Sequence, residues 1–433
     1  MSKLSALVNS KYLFVVTSLV WWLAFYPGFY SGDSFGALDQ AKDGPITNIY
    51  TSAWPLTLKF LTLGGAAPGI ATLACVLVLS YAVKYFCETA LPKCSASITA
   101  FILLITPLIG AMGITLWHDI PMTAGLLIVL AVAVKSLLFS NSLSRLDLSN
   151  LIFGSILTSY RPNGLPTLLL FFLLLFIFKR TRALLKYGAL ALAISLSFSL
   201  VTTHAVGQRS LTNAIYGQEW MRSDIACSWA THPESVSLTL QGKMKEVAPL
   251  TQWNNSAGCY FLNSLGLNET QVLKSTYVVP SIWSGLFRSN PLQIGKIHAE
   301  RNSYLLPIPT SRAMHPPFIH SIIELPDRGV EFALPIIVET LRPYVRIWNG
   351  VRPITAYAGL WLAVIIGFAV FAKRRRQVLF PTLAMSVALE GILFAVAPIP
   401  DGRYALLVLI VGQSLFVGYS LDFLLRKRGQ TTK

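Results

Sequence analysis

From Pro121 to Phe139 the chain reads PMTAGLLIVLAVAVKSLLF, with Lys135 the only charged side chain. As a helix, a run of this length rises about 28 Å, close to the thickness of a bilayer's hydrocarbon core. Nothing in it alternates as a half-buried strand would, and no polar face accompanies the apolar one. The stretch therefore predicts a helix whose surroundings are apolar on every side. Working outward, comparable runs recur at Tyr12–Tyr30, Gly69–Phe86, Ser97–Leu116, Leu148–Tyr160, Leu165–Phe178 and Leu184–Ala205, then at Ile354–Ala372, Val378–Val396 and Tyr404–Leu425. About ten transmembrane spans follow. Composition agrees: in 433 residues only 12% are charged and 54% are hydrophobic. Soluble domains carry roughly twice that share of charge. A soluble enzyme, a disordered chain and a disulfide-stapled secreted domain are excluded.

The formal net charge is +16, but the basic residues lie in short clusters between apolar runs, unlike a nucleic-acid groove. With the N-terminus (Lys3, Lys11) in the cytoplasm and ten spans threaded, the other clusters fall on the same side. They are Lys93, Arg145, Lys179–Arg182 with Lys186, Lys373–Arg376 and the tail Arg426-Lys427-Arg428. The N-terminal run lacks a small-x-small cleavage site and reads as a retained first span. The expected organisation is an all-α polytopic membrane protein, multi-pass in the cell membrane with both termini cytoplasmic. An N-terminal membrane region covers 1–206 with a first outer loop at 31–68. A larger extracytoplasmic segment of mixed or helical structure covers 207–353, and a C-terminal membrane region with a basic tail covers 354–433. Cys227 and Cys259 fall in the extracytoplasmic segment, where an oxidising compartment permits them to pair. The sequons at Asn254 and Asn268 matter only in a host that glycosylates.

This threading gathers the polar residues hardest to explain structurally on the outer face. Asp33 follows the first span; it serves either as a helix cap before Ser34 or as a base at the membrane–water boundary. Asp39 and Asp43 read more simply as exposed loop acids, with Asp39 the better second catalytic candidate. Asp119 begins the fourth span, where the helix dipole alone would favour it. Its neighbour His118 can donate to a phosphate or orient a carboxylate. Arg161, before Pro162-Asn163-Gly164, and Arg403, before Tyr404, either snorkel to headgroups or form a phosphate clamp. Asp401 can neutralise Arg403. Glu390 lies inside an apolar span, where a carboxylate usually faces a partner or a cavity. His298, His315 and His320, and Trp220, Trp229, Trp253, Trp283 and Trp348, are weaker signals; Trp faces stack on sugars but more often pack.

Taken in order, Pro27-Gly28, Asp33, Gln40, Asn48 and Pro55, then Trp117-His118-Asp119, Arg161-Pro162-Asn163-Gly164 and Arg403-Tyr404, resemble the GT-C superfamily of integral-membrane glycosyltransferases, and bacterial members in particular. Each motif is short; their order along the whole membrane part gives the resemblance its specificity. There are two departures: His118 stands where the pattern has Lys, and Trp54-Pro55 where it has His-Pro. The resemblance implies an inverting transferase that takes a sugar from a polyprenyl-phosphate donor to a cell-envelope glycan or lipid-linked acceptor. Asp33 would be the general base, with Arg161, Arg403 and His118 on the donor phosphate and Asp119, Asn163, Gln40, Tyr404 and Glu390 in support. It implies no cofactor, leaves a divalent metal open, and gives the lipid bilayer, the donor and the acceptor as partners, with no nucleic acid. Within enzymes the rival is a glycan polymerase or ligase. From another class, the rival is a lipid-linked glycan transporter or flippase with Glu390 as the coupling site, although no internal repeat is visible.

Overall fold

The computed structural model describes residues 12–47, 51–138, 143–177, 184–206, 217–253, 269–307, 335–372, 376–397 and 402–431. Asn48, Cys259, Asp401, His315, His320, both sequon asparagines and the basic runs at 179–182 and 373–375 lie outside them, as do Lys3 and Lys11. The described chain is helical. An isolated parallel β-bridge joins Phe29 and Thr115.

The helices in chain order are α1 (Leu13–Ala24), α2 (Gly32–Lys42), α3 (Ala53–Leu61), α4 (Pro68–Ala90), α5 (Lys93–Ile105), α6 (Pro107–Gly113), α7 (Asp119–Leu138), α8 (Arg145–Thr158), α9 (Gly164–Phe176) and α10 (Leu185–Val206). They continue with α11 (Glu219–Thr231), α12 (Leu238–Val247), α13 (Leu250–Trp253), α14 (Glu269–Ser289), α15 (Pro291–Arg301), α16 (Pro335–Thr355), α17 (Ala358–Phe371), α18 (Arg376–Val396) and α19 (Leu406–Thr431). Among the described residues, five helices are long and apolar enough to cross a membrane, or six if the bent pair α5–α6 is one span. Three more apolar helices, α1, α9 and α17, are shorter.

Pro and Gly cut two of the apolar runs. Tyr26-Pro27-Gly28 ends the first, with a cis Tyr26–Pro27 bond and Gly28 at φ +116°, a conformation that favours glycine. Pro107 breaks the third with a bend of 63°. The run expected at Leu148–Tyr160 is α8, which starts earlier because Ser144 and Asp147 form a capping box. The first outer loop contains two helices; the first is the one that an Asp33 cap would have begun at Ser34, but it starts at Gly32 and its cap is Ser31. Ser31 caps α2 through a reciprocal pair with Ser34.

The centre of the fold is α7, buried along almost its whole length, whereas α10 exposes most of its surface. At the crossing with α8, a Cβ on Gly125 would lie 2.5 Å from the Gly154 carbonyl oxygen, so only glycine permits this approach. A second core, separate from the main one, joins α11, α12, α13, α14 and α15 through Ile225, Met244, Trp253, Val279, Ile282, Leu286 and Ile297. The expected boundary of the extracytoplasmic segment at 353 runs past this core. Leu341 and Tyr344 of α16 pack on the main core instead, and the Tyr344 hydroxyl donates to the Ile105 carbonyl at 2.9 Å. Cys227 is disulfide-bonded.

Candidate functional site

The site begins with main-chain fastening. Phe29 N–H donates to the Ile114 carbonyl at 3.1 Å, and Leu116 N–H donates to the Phe29 carbonyl at 3.0 Å. These bonds lock the link before α2 to the link before α7, so the first turns of the two helices come to the same place. Asp33 stands in the first turn of α2 and Asp119 in the first turn of α7, where the helix dipoles favour negative charge. The indole N–H of Trp117 donates to the Ser31 hydroxyl at 2.6 Å, tying the same two links by side chains.

Two arginines complete the cluster. Arg161 lies in the turn between α8 and α9. That turn is pinned by Thr51, whose hydroxyl donates to the Tyr160 carbonyl at 2.8 Å, and by Thr57, which donates to the Tyr160 hydroxyl at 3.1 Å. Arg403 lies in the 3-10 turn Gly402–Ala405 that leads into α19. The Arg403 Nη1 is 2.8 Å from Asp33 Oδ2, and its Nε is 3.8 Å from Asp119 Oδ2. Arg161 Nη1 pairs with Asp119 Oδ1. The guanidinium of Arg161 lies over the Tyr404 ring at 4.0 Å, and that of Arg403 over the Trp117 ring at 4.8 Å. Asp33, Asp119, Arg161 and Arg403 thus form one connected network of two negative and two positive groups.

Burial sorts their roles. The Asp119 side chain is fully buried, whereas that of Asp33 is 38% exposed. Only Asp33 offers a carboxylate to a group arriving from solvent; Asp119 anchors the arginines. A carboxylate as buried as Asp119 needs compensating charge, and both guanidiniums supply it. His118 is buried beside them. Burial, then the charges of Arg161 and Arg403, hold its imidazole well below the usual histidine range. His118 is therefore neutral near pH 7, and can meet a phosphate only as an uncharged N–H donor.

The remaining candidates separate. Tyr404 is part of the cluster, as the ring under Arg161, and its hydroxyl accepts from Arg403 Nη2 at 3.2 Å. Asn163 is buried at the start of α9, and its main-chain carbonyl accepts from the Thr167 hydroxyl at 2.7 Å. Asp39 is exposed on α2 and lies about 120° round the helix from Asp33, so the helix does not bring the two acids together. Gln40 holds the end of α2, its side-chain oxygen accepting from Thr47 N–H at 2.9 Å. Glu390 is buried in α18 and shares no ion pair with the cluster; neither carboxylate oxygen has a hydrogen-bond partner among the described residues. Trp54, at the His-Pro position of the GT-C pattern, packs its ring 5.8 Å from Tyr160 and adds no polar contact.

Two features of the site depend on contacts between distant parts of the chain. Trp117 stacks under Arg403, which the turn before α19 brings in from the far end of the chain. The second is a buried node around Asp224. Its carboxylate accepts from Trp283 Nε1 at 3.0 Å and Arg301 Nη2 at 3.0 Å, with His298 Nδ1 at 2.9 Å. Arg301 Nη1 donates to the Ala397 carbonyl at 2.5 Å, and Asn302 Nδ2 to the Phe394 carbonyl at 3.3 Å. The node caps the exposed carbonyls at the end of α18. Trp220 packs edge-on against Trp283 and His298, and Trp253 is in the second core, so these tryptophans pack against protein. No group of three or more His, Cys, Asp or Glu is placed to hold a metal among the described residues. No family model, curated protein or solved structure matches the chain.

Proposed function

We propose that this chain is a polytopic membrane glycosyltransferase that moves a sugar from a polyprenyl-phosphate donor to a cell-envelope glycan or lipid-linked acceptor on the outer face. The supporting observation is the convergence of Asp33, Asp119, Arg161 and Arg403, from four distant stretches of sequence, at the ends of apolar helices. In this reading about ten passes cross the membrane, with both termini in the cytoplasm and the helical unit from α11 to α15 outside. The disulfide at Cys227 suits that side.

The chemistry follows from the groups present. An acceptor hydroxyl approaches Asp33, which takes its proton as the oxygen attacks the anomeric carbon. The bond from that carbon to the phosphate oxygen breaks, and the lipid phosphate leaves with the electron pair. Attack opposite the leaving group inverts the anomeric centre. Arg161 and Arg403 stabilise the charge that builds on the phosphate, held ready by Asp119, Tyr404 and Trp117. His118 adds a neutral donor.

The test is transfer in proteoliposomes loaded with undecaprenyl-phosphate sugars and envelope-glycan acceptors. Asp33→Asn should lower transfer by about a hundredfold or more, within the usual contribution of a general base, with protein abundance unchanged. Full activity in that variant removes Asp33 from the reaction. Glu390, buried without a hydrogen-bond partner among the described residues, supports a second reading as a lipid-linked glycan transporter. Flip of a fluorescent glycolipid that is lost in Glu390→Gln but kept in Asp33→Asn would favour it.

A further inference from the structure

The cluster is charge-balanced without substrate. Each arginine already has a carboxylate, so a phosphate that arrives must take an arginine from one of them. The two ion pairs differ in what breaking them costs. Asp119 is fully buried, and Arg161, with 12% of its side chain exposed, is held by that carboxylate and by the Tyr404 ring. Freeing Arg161 would leave a bare charge out of water, the expensive case. Asp33, at 38% exposed, can be rehydrated when its partner leaves, and Arg403, itself only 11% exposed, passes from one anion to another because the arriving phosphate takes it up. If Arg403 turns away, Asp119 keeps Arg161. The Trp117 and Tyr404 rings, 4.8 and 5.0 Å from the Arg403 guanidinium, still offer it aromatic faces.

Resting on the glycosyltransferase reading above, we infer that Arg403 is a latch on Asp33: in the empty site it holds the base in an ion pair, and the donor's phosphate opens that pair by competing for the guanidinium. Donor binding thereby frees the carboxylate that accepts the acceptor's proton. The order of binding is donor first, then acceptor. An acceptor hydroxyl reaching the empty site meets a carboxylate whose oxygen is already committed to a cation. The latch protects the site from idle chemistry, because the base is released only when the leaving group is in place.

A static ion pair that merely orients Asp33 predicts something different, and binding separates the two. The probe is undecaprenyl phosphate, added to the purified full-length protein in nanodiscs and measured by equilibrium binding of the radiolabelled lipid, with undecaprenol as the control lacking phosphate. Under the latch, Asp33→Asn removes the competitor, and the variant binds undecaprenyl phosphate about fivefold tighter than wild type. Arg403→Gln binds more weakly. In the Arg403→Gln background the gain from Asp33→Asn disappears, since Asp33 acts through Arg403. Unchanged affinity in Asp33→Asn overturns the latch. A gain that persists without Arg403 also overturns it, by showing plain repulsion between carboxylate and phosphate.

Wild-type protein supplies a second readout that no folding defect can confuse. Undecaprenyl phosphate should raise the labelling of Asp33 by a water-soluble carbodiimide, read by mass spectrometry, and undecaprenol should not. Labelling that stays level while the lipid phosphate binds sinks the latch and leaves the transferase reading standing. If undecaprenyl phosphate binds no better than undecaprenol, the transferase reading fails and the latch falls with it.

Discussion

Asp119→Asn tests whether the site is an assembled unit or a chance meeting of side chains. The substitution keeps the shape of the side chain and removes its charge. In the native chain that charge is fully buried, pairs with Arg161 and lies 3.8 Å from Arg403 Nε. Breaking a buried pair from one side costs roughly 3–5 kcal/mol. Asparagine keeps a carbonyl for one arginine N–H, and the Tyr404 face still supports Arg161, so the expected loss is about 2–3 kcal/mol. For a chain of 433 residues that corresponds to a fall in melting temperature of about 2–3 °C. Asp33→Asn removes a carboxylate that water already reaches, at 38% exposed, and should cost less, about 1 kcal/mol. Thermal unfolding of both variants in the same detergent, followed by tryptophan fluorescence, gives the comparison. If Asp119→Asn melts with wild type, or no lower than Asp33→Asn, the buried carboxylate does not hold the arginines and the division between anchor and base is wrong.

Other predictions concern protons and packing. His118 is held below its usual pKa range in the folded chain, so the unfolded chain takes up its proton first as pH falls. Stability is then full above about pH 6.5 and declines below it; His118→Gln should flatten the fall in melting temperature between pH 7.5 and 5.5. Glu219 has the opposite sign. Burial pushes its carboxyl up to about 7 despite Arg222 at 3.1 Å, so its contribution is present below the ordinary carboxylate range and is lost as pH rises through about 7. Glu219→Gln should make unfolding of the α11–α15 unit less sensitive to pH over that interval. Gly125→Val places carbon against the Gly154 carbonyl and should abolish the folded protein, as judged by a monodisperse peak in size-exclusion chromatography.

The helical class and the apolar runs could be read from composition, because charge is too sparse for a water-facing surface. Apolar runs alone place the start of α8 at Leu148 and pass straight through Pro107, whereas the Ser144 capping box and the Pro107 bend set the actual ends. A helix beginning near Ser34 is one of the two readings of Asp33, and α2 is that helix; α3 is short, its partners are distant, and no such mark announces it. Asp33, Asp119, Arg161 and Arg403 could be named in advance because each is a charge at the end of an apolar run. Their pairing could not, for it depends on the approach of α2, α7 and α19. Asp119 and Asp33 look alike in sequence, and only burial separates anchor from candidate base. The Asp224 node stayed hidden because its residues lie in unremarkable polar sequence and meet through packing on α18.

The fastening between Phe29, Ile114 and Leu116 is made of amides and carbonyls. Substitutions nearby leave those groups in place unless they introduce proline at 29 or 116, where the donated N–H would be lost. The spacing between the two acidic helix starts is thus insulated from mutational drift. A lineage can rewrite the neighbouring side chains while the frame that brings acid and arginine together passes on unaltered.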